Sequence, residues 1–305
     1  MAEKYSMKRI AFAFLMTLSV LQLFACDICG CSSGNFFLGP IPQFNKHFIG
    51  LRYSFRSFNT MLQTDNSQFS KDFYQTTELW GGFKIKNNFQ VLGFIPYNFN
   101  HSNTDDGAKT NNGIGDMTLI GNYNLFNKIA LNKDTLSTGQ QLWIGAGIKL
   151  PTGPFSVDTT ELVSSANSQT GTGSIDFLLT ATYSLFVDNW GLNSNINYKI
   201  NQTASNFKFG NRFTATVFAF RSFHLKNETF SPNIGLIYEN LNPNKLSKTE
   251  IESTGGNDLL GAIGLEMRFD SITIGLNVQH PLAENISDGQ TKNKLRGMLH
   301  LTYTF

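Results

Sequence analysis

The chain has 305 residues, a formal net charge of +2 and only 15% charged residues, against about a quarter in typical soluble domains. A charge so close to neutral argues against a nucleic-acid-binding protein, whose basic surface raises the net charge. Hydrophobic residues make up 41% of the chain, too few for a bundle of membrane-spanning helices, yet aromatic residues reach 13%. Low charge with many aromatic residues is typical of a β-barrel that meets lipid outside and water inside.

The only long apolar run lies at the start of the chain. Lys8 and Arg9 precede the apolar segment 10–25, which ends in a small residue, the pattern of a secretory signal peptide. This segment is too short and too close to the terminus to favour a membrane-spanning helix. We expect residues 1–25 to be a signal peptide and residues 26–46 to be a periplasmic tail. Any membrane association of the exported chain must then use strands.

All three cysteines, Cys26, Cys29 and Cys31, directly follow the signal segment. Thiolates at this spacing can hold a soft metal ion such as copper or zinc, with a fourth ligand position left open. Two alternatives stay open. One is lipidation of Cys26, although bulky Phe24 departs from a lipobox, and the other is a disulfide in the oxidising periplasm. A c-type haem site is excluded because Gly30, not His, follows the CxxC pair.

From residue 47 to residue 305, segments with alternating apolar and polar residues recur about twelve times, separated by turn residues. The predicted strands are 47–57, 73–85, 89–99, 115–126, 141–150, 174–186, 190–200, 209–223, 230–238, 259–269, 271–280 and 295–305. The strand at 209–223 is ambiguous because both of its phases carry apolar residues. Aromatic residues lie near both ends of the predicted strands, as in the interfacial girdles of outer-membrane barrels.

Short and long connections alternate between these strands. The connections 86–88, 187–189, 224–229 and the single residue Asp270 are short, and those that alternate with them are longer and polar. The exception is 127–139, a longer connection on the side of the short turns. This asymmetry predicts short periplasmic turns and long extracellular loops. Pro96, Pro151 and Pro281 are expected to end outgoing strands, since proline cannot donate to a sheet ladder.

The last strand, 295–305, alternates up to an aromatic carboxy-terminus, Phe305. This ending resembles the closing strand of bacterial outer-membrane barrels, which the barrel-assembly machinery reads. An open sheet in lipid would leave backbone N–H and C=O groups unpaired at a cost of several kcal/mol each. We therefore expect an all-β, closed antiparallel transmembrane barrel of about twelve strands, surrounded by outer-membrane lipid. A soluble β-sandwich or lipocalin-like barrel also alternates, but the loop asymmetry favours the membrane form.

The inward phase of the strands supplies the candidate site residues. The predicted lumen-lining side chains are Arg52, Arg56, Glu78, Asp116, Lys149, Arg296 and His300. The first and last strands are neighbours in a closed barrel. We therefore expect one basic wall, paired with opposite charges, from four of their residues: Arg52, Arg56, Arg296 and His300. The lumen is then either a narrow pore or a plug of salt bridges, since twelve strands lie between filled eight-stranded barrels and open porins.

Two motifs narrow the class. Residues 113–119 read GIGDMTL and lead to Tyr123, and residues 145–153 read GAGIKLPTG. With FQVLGFIPY at 89–97, they resemble the outer-membrane proteins named for the meta-pathway of phenol degradation. The resemblance implies a barrel that passes small, often apolar, compounds, and it implies no catalytic residues. Within the first motif, Gly113 and Gly115 are expected to permit a tight bend. Asp116 is expected to contact Lys149 or another cation of the lumen.

Enzymatic activity is not expected. A barrel phospholipase needs Ser and His together on the lipid-facing wall, and His280 has no neighbouring Ser on its face. We expect a transporter or channel for passive passage of small molecules, hydrophobic or aromatic ones among them, in the outer membrane of a Gram-negative bacterium. The alternatives are a barrel whose cysteine tail binds metal or handles redox equivalents, and an outer-membrane lipid hydrolase.

Overall fold

The computed structural model describes residues 46–61, 69–104, 107–130, 137–156, 168–226 and 228–305. Within these ranges the chain forms twelve long strands. They are β1 (Phe48–Met61), β2 (Phe69–Lys86), β3 (Phe89–Thr104), β4 (Thr118–Ala130), β5 (Thr138–Lys149), β6 (Asp176–Val187), β7 (Trp190–Ile200), β8 (Arg212–Arg221), β9 (Glu228–Leu241), β10 (Gly256–Phe269), β11 (Ile272–Ile286) and β12 (Thr291–Thr304). No helix in the described part of the chain is long and apolar enough to cross a bilayer. The predicted signal peptide and all three cysteines lie outside the described residues.

The sheet is antiparallel and closes on itself. Each strand pairs with the next in chain order, and β1 pairs with β12. A row of paired residues that begins at Phe48 crosses every strand and returns to β1 at Thr60, twelve residues further along. For twelve strands about 4.8 Å apart and about 3.3 Å of rise per residue, this offset tilts the strands by roughly 35°. The prediction of a closed twelve-stranded barrel is confirmed.

The two ends of the barrel differ as expected. At one end, which we call the turn end, tight turns at Asn87–Asn88, Asp188–Asn189 and Asp270–Ser271 join the strands. Asp188 and Asp270 have φ values of 50° and 45°, which tight hairpin turns require and Asp tolerates. At the other end, the loop end, longer connections carry short strands such as Gly107–Ile114, Phe207–Lys208 and Lys245–Leu246. The predicted asymmetry between short turns and long loops is confirmed.

The prediction that Pro96 and Pro281 end their strands is wrong. Beyond Pro96, β3 exchanges its partner β4 for the short strand Gly107–Ile114 and continues to Thr104. Pro281 lies inside β11, close to Gln279, where the continuous pairing of β11 with β12 stops. Each proline therefore occupies a point where its strand changes or loses a partner, so the missing N–H is tolerated without ending the strand.

The outward face of the barrel carries many exposed apolar side chains. Exposed side chains include Leu51 on β1, Leu119 on β4 and Leu299 on β12. Exposed aromatic residues lie near both strand ends, with Tyr123, Trp190 and Tyr303 toward the turn end and Tyr97, Tyr198 and Tyr238 further toward the loop end. This outer surface matches what a barrel presents to lipid.

The carboxy-terminal residue is held by its backbone. The N–H of Phe305 donates to the carbonyl oxygen of His47 at 2.9 Å, and its ring stacks on the imidazole of His47 with centroids 5.9 Å apart. The side chain is nevertheless 65% exposed. Its ring therefore buries little surface in the folded barrel.

We predict that Phe305→Ala changes the free energy of unfolding of refolded barrel by less than about 1 kcal/mol, because the ring is mostly exposed. If the terminal aromatic is read during assembly, the same variant lowers the amount of barrel in the membrane fraction of cells. Urea unfolding in detergent and quantification of the membrane fraction measure the two effects. Leu299→Ala, exposed on the same face of the same strand, is the control and should not lower assembly. A large loss of refolded stability in Phe305→Ala would make the residue structural instead.

Candidate functional site

Charged side chains from most of the strands face inward near the loop end and follow one another around the lumen. We call this set the charged ring: Arg52, Arg56, Glu78, Asp116, Lys149, Asp176, Lys199, Arg212, Glu239, Asp258 and Arg296. Neighbours in this set are often register partners, as in the pairs Lys149 with Asp176 and Arg52 with Glu78. Arg56 is half-buried and the others are buried. Their side chains fill most of the lumen at this level, because a wide aqueous pore would leave them exposed.

One arc of the ring is a chain of ion pairs. The Nζ atom of Lys149 lies 2.6 Å from an oxygen of Asp116 and 2.9 Å from an oxygen of Asp176. The same oxygen of Asp176 lies 3.5 Å from Nζ of Lys199. The predicted contact between Asp116 and Lys149 is present. Because all four groups are buried, each depends on its partners to offset the cost of removing a charge from water.

Asp116 also fastens the long connection 150–175 to the mouth of the barrel. Its Oδ1 accepts a hydrogen bond from the N–H of Gly153 at 3.0 Å, and its Oδ2 accepts from the N–H of Thr172 at 2.9 Å. The hydroxyl of Thr172 donates to the same Oδ2 at 2.7 Å. We call this arrangement the loop clasp, because one carboxylate holds both ends of the connection.

The returning part of this connection lies inside the mouth. The side-chain amide of Asn98 donates to the carbonyl oxygen of Thr170 at 3.1 Å, and that of Asn100 donates to the carbonyl oxygen of Ser168 at 2.9 Å. Ser168, Thr170 and Thr172 are buried. The polar inward residues of β3 thus satisfy backbone groups of the connection, which narrows the entrance.

The motif glycines permit close packing around the clasp. A Cβ atom on Gly115 would lie 2.6 Å from Nδ2 of Asn98, and one on Gly153 would lie 2.7 Å from the Cα atom of Gly171. The expected bend at Gly113 and Gly115 is not what the structure shows, because Gly113 lies within a strand and neither residue has a left-handed φ. The absent side chain, not an unusual backbone angle, is what the loop clasp requires at Gly115 and Gly153.

A second arc of the ring centres on Arg296. Its guanidinium lies 3.1 Å from Glu239 on β9 and 2.8 Å from Asp258 on β10, so it reaches across the intervening strands. It also donates to the side-chain oxygen of Asn293 at 2.9 Å and lies over the ring of Phe58. This arginine contacts side chains of β9, β10 and β1 from its own strand, β12.

The structure brings the predicted basic wall together. Arg52 is the register partner of His300, and Arg56 is the register partner of Arg296. Acidic groups offset this wall, because Arg52 makes an ion pair with Glu78 and Nε2 of His300 lies 3.7 Å from Glu266. Six of the seven predicted lumen residues are buried, and Arg56 is half-buried. Their role in the passage of a solute remains a prediction.

Toward the turn end, the charged ring is followed by apolar side chains that also face inward. We call this layer the apolar belt: Phe48, Trp80, Leu92, Phe94, Ile120, Trp143 and Leu178 on one wall, and Phe218, Ile237, Leu260, Ala262 and Met298 on the other. Arg52 connects the two layers, since its guanidinium lies 5.3 Å from the ring of Trp80 and 5.7 Å from that of Phe94. Buried amides such as Gln90, Asn122 and Asn193 lie beyond the belt.

Sequence reasoning missed much of this site. Asp176, Lys199, Arg212, Glu239 and Asp258 were not among the predicted lumen residues, although each stands near the loop end of its strand on the inward phase. The apolar belt was missed because strict alternation assigns apolar residues to the lipid side. The sequence does contain an indication of the belt. In the segments 89–97 and 209–223 both alternating faces are apolar, so some of their apolar residues must face inward.

The described residues contain no cluster of metal-ligating side chains. The proposed metal ligands Cys26, Cys29 and Cys31 lie outside the described residues, and within those ranges no three His, Cys, Asp or Glu side chains are placed to share a metal ion. His280 is exposed on the lipid-facing wall beside an apolar groove. The residues that line this groove are Leu192, Val217, Ala219, Ile234, Gly235, Leu236, Gly261, Ala262, Ile263, Val278, His280 and Leu282, a set without a serine or an acid.

We predict that Asp116→Asn destabilises the barrel by about 3–5 kcal/mol, because it leaves a buried cation with one counter-charge fewer and weakens the loop clasp. Urea unfolding in detergent measures the change, and limited proteolysis at the connection 150–175 should become faster. Asp270→Asn is the matched control, since it makes the same substitution in an exposed turn where Asn also tolerates the positive φ. Equal stability of the two variants would contradict a structural role for the clasp.

The comparisons agree with this architecture. A model of the family described as "Putative MetA-pathway of phenol degradation" matches residues 55–285. The fold is similar to that of the COG4313 outer membrane channel from Pseudomonas putida F1, with a TM-score of 0.60 and 14% identity over 85% of this chain and 96% of that chain. It is also similar to the beta domain of the Bordetella autotransporter Brka, with a TM-score of 0.47 and 9% identity over 86% of this chain and 100% of that chain. No curated protein matches the sequence.

At 14% identity, the Pseudomonas putida channel shows the fold alone. The family model, by contrast, spans about three quarters of the chain and includes the residues of both sequence motifs. The chain therefore belongs to the family described as the putative MetA-pathway of phenol degradation.

Proposed function

We propose that this protein is a non-enzymatic channel in the outer membrane of a Gram-negative bacterium, through which small apolar or aromatic molecules pass without an energy source. The observation that carries the proposal is the apolar belt. The interior of a transmembrane barrel is ordinarily polar, because it faces water. Here Trp80, Phe94 and Trp143 on one wall and Phe218 and Leu260 on the other face into the lumen. Such a surface favours contact with an apolar solute over contact with water.

The layers of the lumen support a selective passage. A solute that enters from the loop end meets the loop clasp first, then the charged ring, then the apolar belt and finally a layer of amides. Buried side chains fill the lumen at the charged ring, so passage depends on their displacement. The binding energy for an apolar solute comes from the belt, and the charged ring excludes solutes that cannot replace its contacts. The family and the fold both support a barrel of this kind.

The rival is a salt-bridged barrel that passes nothing. Its belt would be a structural core, comparable to the filled interior of an eight-stranded barrel. Reconstitution of the purified protein in planar bilayers and liposomes separates the two possibilities. Our proposal requires discrete conductance steps and uptake of a small aromatic solute. Unheated gel samples show whether the purified barrel is folded. If folded barrel gives neither conductance steps nor uptake of the aromatic solute, the proposal is refuted.

We predict that Phe94→Ala raises the single-channel conductance about two-fold or more, because removal of a ring from the belt widens a lumen that side chains nearly fill. Ile95→Ala is the matched control. It shortens the next side chain along the same strand, which is exposed on the outer wall, and should leave the conductance unchanged. An unchanged conductance in Phe94→Ala would show that the belt does not limit passage.

A further inference from the structure

An arginine with unsatisfied hydrogen-bond donors lies at the loop end of β8. Arg212 is 6% exposed, and its Nε and Nη1 atoms are buried without a hydrogen-bond partner among the described residues. Buried donors of a charged group are costly when they are left unpaired. A ligand that accepts hydrogen bonds from this guanidinium would therefore be stabilised.

Arg212 is one of the residues that line a small cavity in the charged ring. Arg56, Arg296, Glu239 and Asp258 are among the other residues that line it. Arg296 already holds both carboxylates, at 3.1 Å and 2.8 Å. Three guanidinium groups thus face two carboxylates in a space for about one water-sized group, which is also the size of one carboxylate oxygen.

The adjacent strand adds to the positive charge. Lys199 on β7 is the register partner of Arg212, and like charges placed opposite each other destabilise a sheet. Lys199 makes an ion pair with Asp176 at 3.5 Å, and the same carboxylate binds Lys149 at 2.9 Å. Arg212 therefore has a cation on one side and, on the other, two carboxylates that Arg296 also binds. An anionic group in the cavity would offset this excess.

Apolar side chains lie directly toward the turn end of this cavity. Ile237 follows Glu239 on the inward face of β9, and Leu260 follows Asp258 on the inward face of β10. Both apolar residues belong to the belt and are almost fully buried. Residues two positions apart on a strand are separated by about 6–7 Å. An anionic head in the cavity would thus place the body of a small molecule against the belt.

We infer that this part of the lumen binds small monocarboxylates with an apolar or aromatic body. One oxygen of the carboxylate accepts a hydrogen bond from Nε or Nη1 of Arg212, and the body packs against Ile237 and Leu260. The inference names the substrate class for the proposed channel, and it relies on that function only for the solute's route to the site. The competing occupant is a water molecule that joins Arg212 to the unpartnered Oδ1 of Asp258.

The test is a binding measurement on the full barrel in detergent, which requires no conductance. Benzoate is the probe, benzyl alcohol supplies a similar body without the charge, and acetate supplies the charge without the ring. Calorimetry or ligand-observed NMR should show that wild-type barrel binds benzoate more tightly than either comparator. Arg212→Gln should weaken benzoate about 10-fold or more, the loss expected for a charge-assisted hydrogen bond, and leave benzyl alcohol unchanged.

Arg221→Gln is the matched control, because it makes the same substitution in the same strand on an exposed side chain that stacks on Trp190. It should not affect benzoate. If Arg212→Gln fails to fold, Arg212→Lys keeps the charge without the planar fork and should give an intermediate affinity. Ile237→Ala should weaken benzoate and benzyl alcohol alike.

Three results would overturn the inference: no benzoate binding to the wild type, equal affinity of benzoate for the wild type and Arg212→Gln, or equal losses for benzoate and benzyl alcohol in Arg212→Gln. The first two are the results expected if water alone fills the cavity. Binding without conductance would contradict the proposed channel and leave this site standing. Conductance without benzoate binding would support the proposed channel and contradict the carboxylate site.

Discussion

Closure of the hydrogen-bonded sheet is the constraint on which the rest of the structure depends. The ladder between β1 and β12 pairs the backbone groups that two free edges would otherwise leave in lipid. Closure with an offset of twelve residues, from Phe48 to Thr60, also sets the strand tilt and hence the width of the lumen. At that width, inward side chains from opposite walls nearly fill the interior. The chemistry of the lumen is therefore decided by one inward residue per strand at each level.

That geometry explains why charge and apolar surface form separate layers. Where ionisable residues face one another at the same level, each can find a partner on a neighbouring strand, as Lys149 does with Asp176. Scattered among the belt residues, the same groups would be buried without counter-charges, at a large cost. The charged ring therefore depends on its position at the mouth, where the loop clasp on Asp116 adds further hydrogen-bond partners. Arg212 is the member that this arrangement leaves least satisfied.

The strands were largely predictable, because the two-residue period is a local property of the sequence. The predicted bounds of the seventh strand, 190–200, are those of β7, and the sequence of short and long connections carried the topology. Strand ends at the loop end were less predictable. Whether β3 stops near Pro96 or continues depends on a second hairpin partner, the strand Gly107–Ile114, which the local pattern does not reveal.

The site was only partly predictable for a related reason. Phase alone placed Arg52, Glu78 and Arg296 inside, because charged residues seldom face lipid. Phase could not show that Arg296 reaches Glu239, since two strands lie between them and only the closed curvature brings them together. The apolar belt runs against the usual pattern, and an inward Phe218 reads like any lipid-facing aromatic until its direction is known. Departures of this kind are expected where a barrel has a specific function.

The central claim is that the lumen carries a carboxylate with an apolar body past the charged ring and along the belt. The most direct measurement is the reversal potential of the wild-type barrel in a planar bilayer with a gradient of sodium benzoate. We predict that the sign of the reversal potential shows benzoate to be more permeant than sodium. When acetate replaces benzoate, the reversal potential should move toward zero, because acetate lacks the apolar body. A reversal potential of the sign set by sodium, or no benzoate current through folded barrel, would contradict the account.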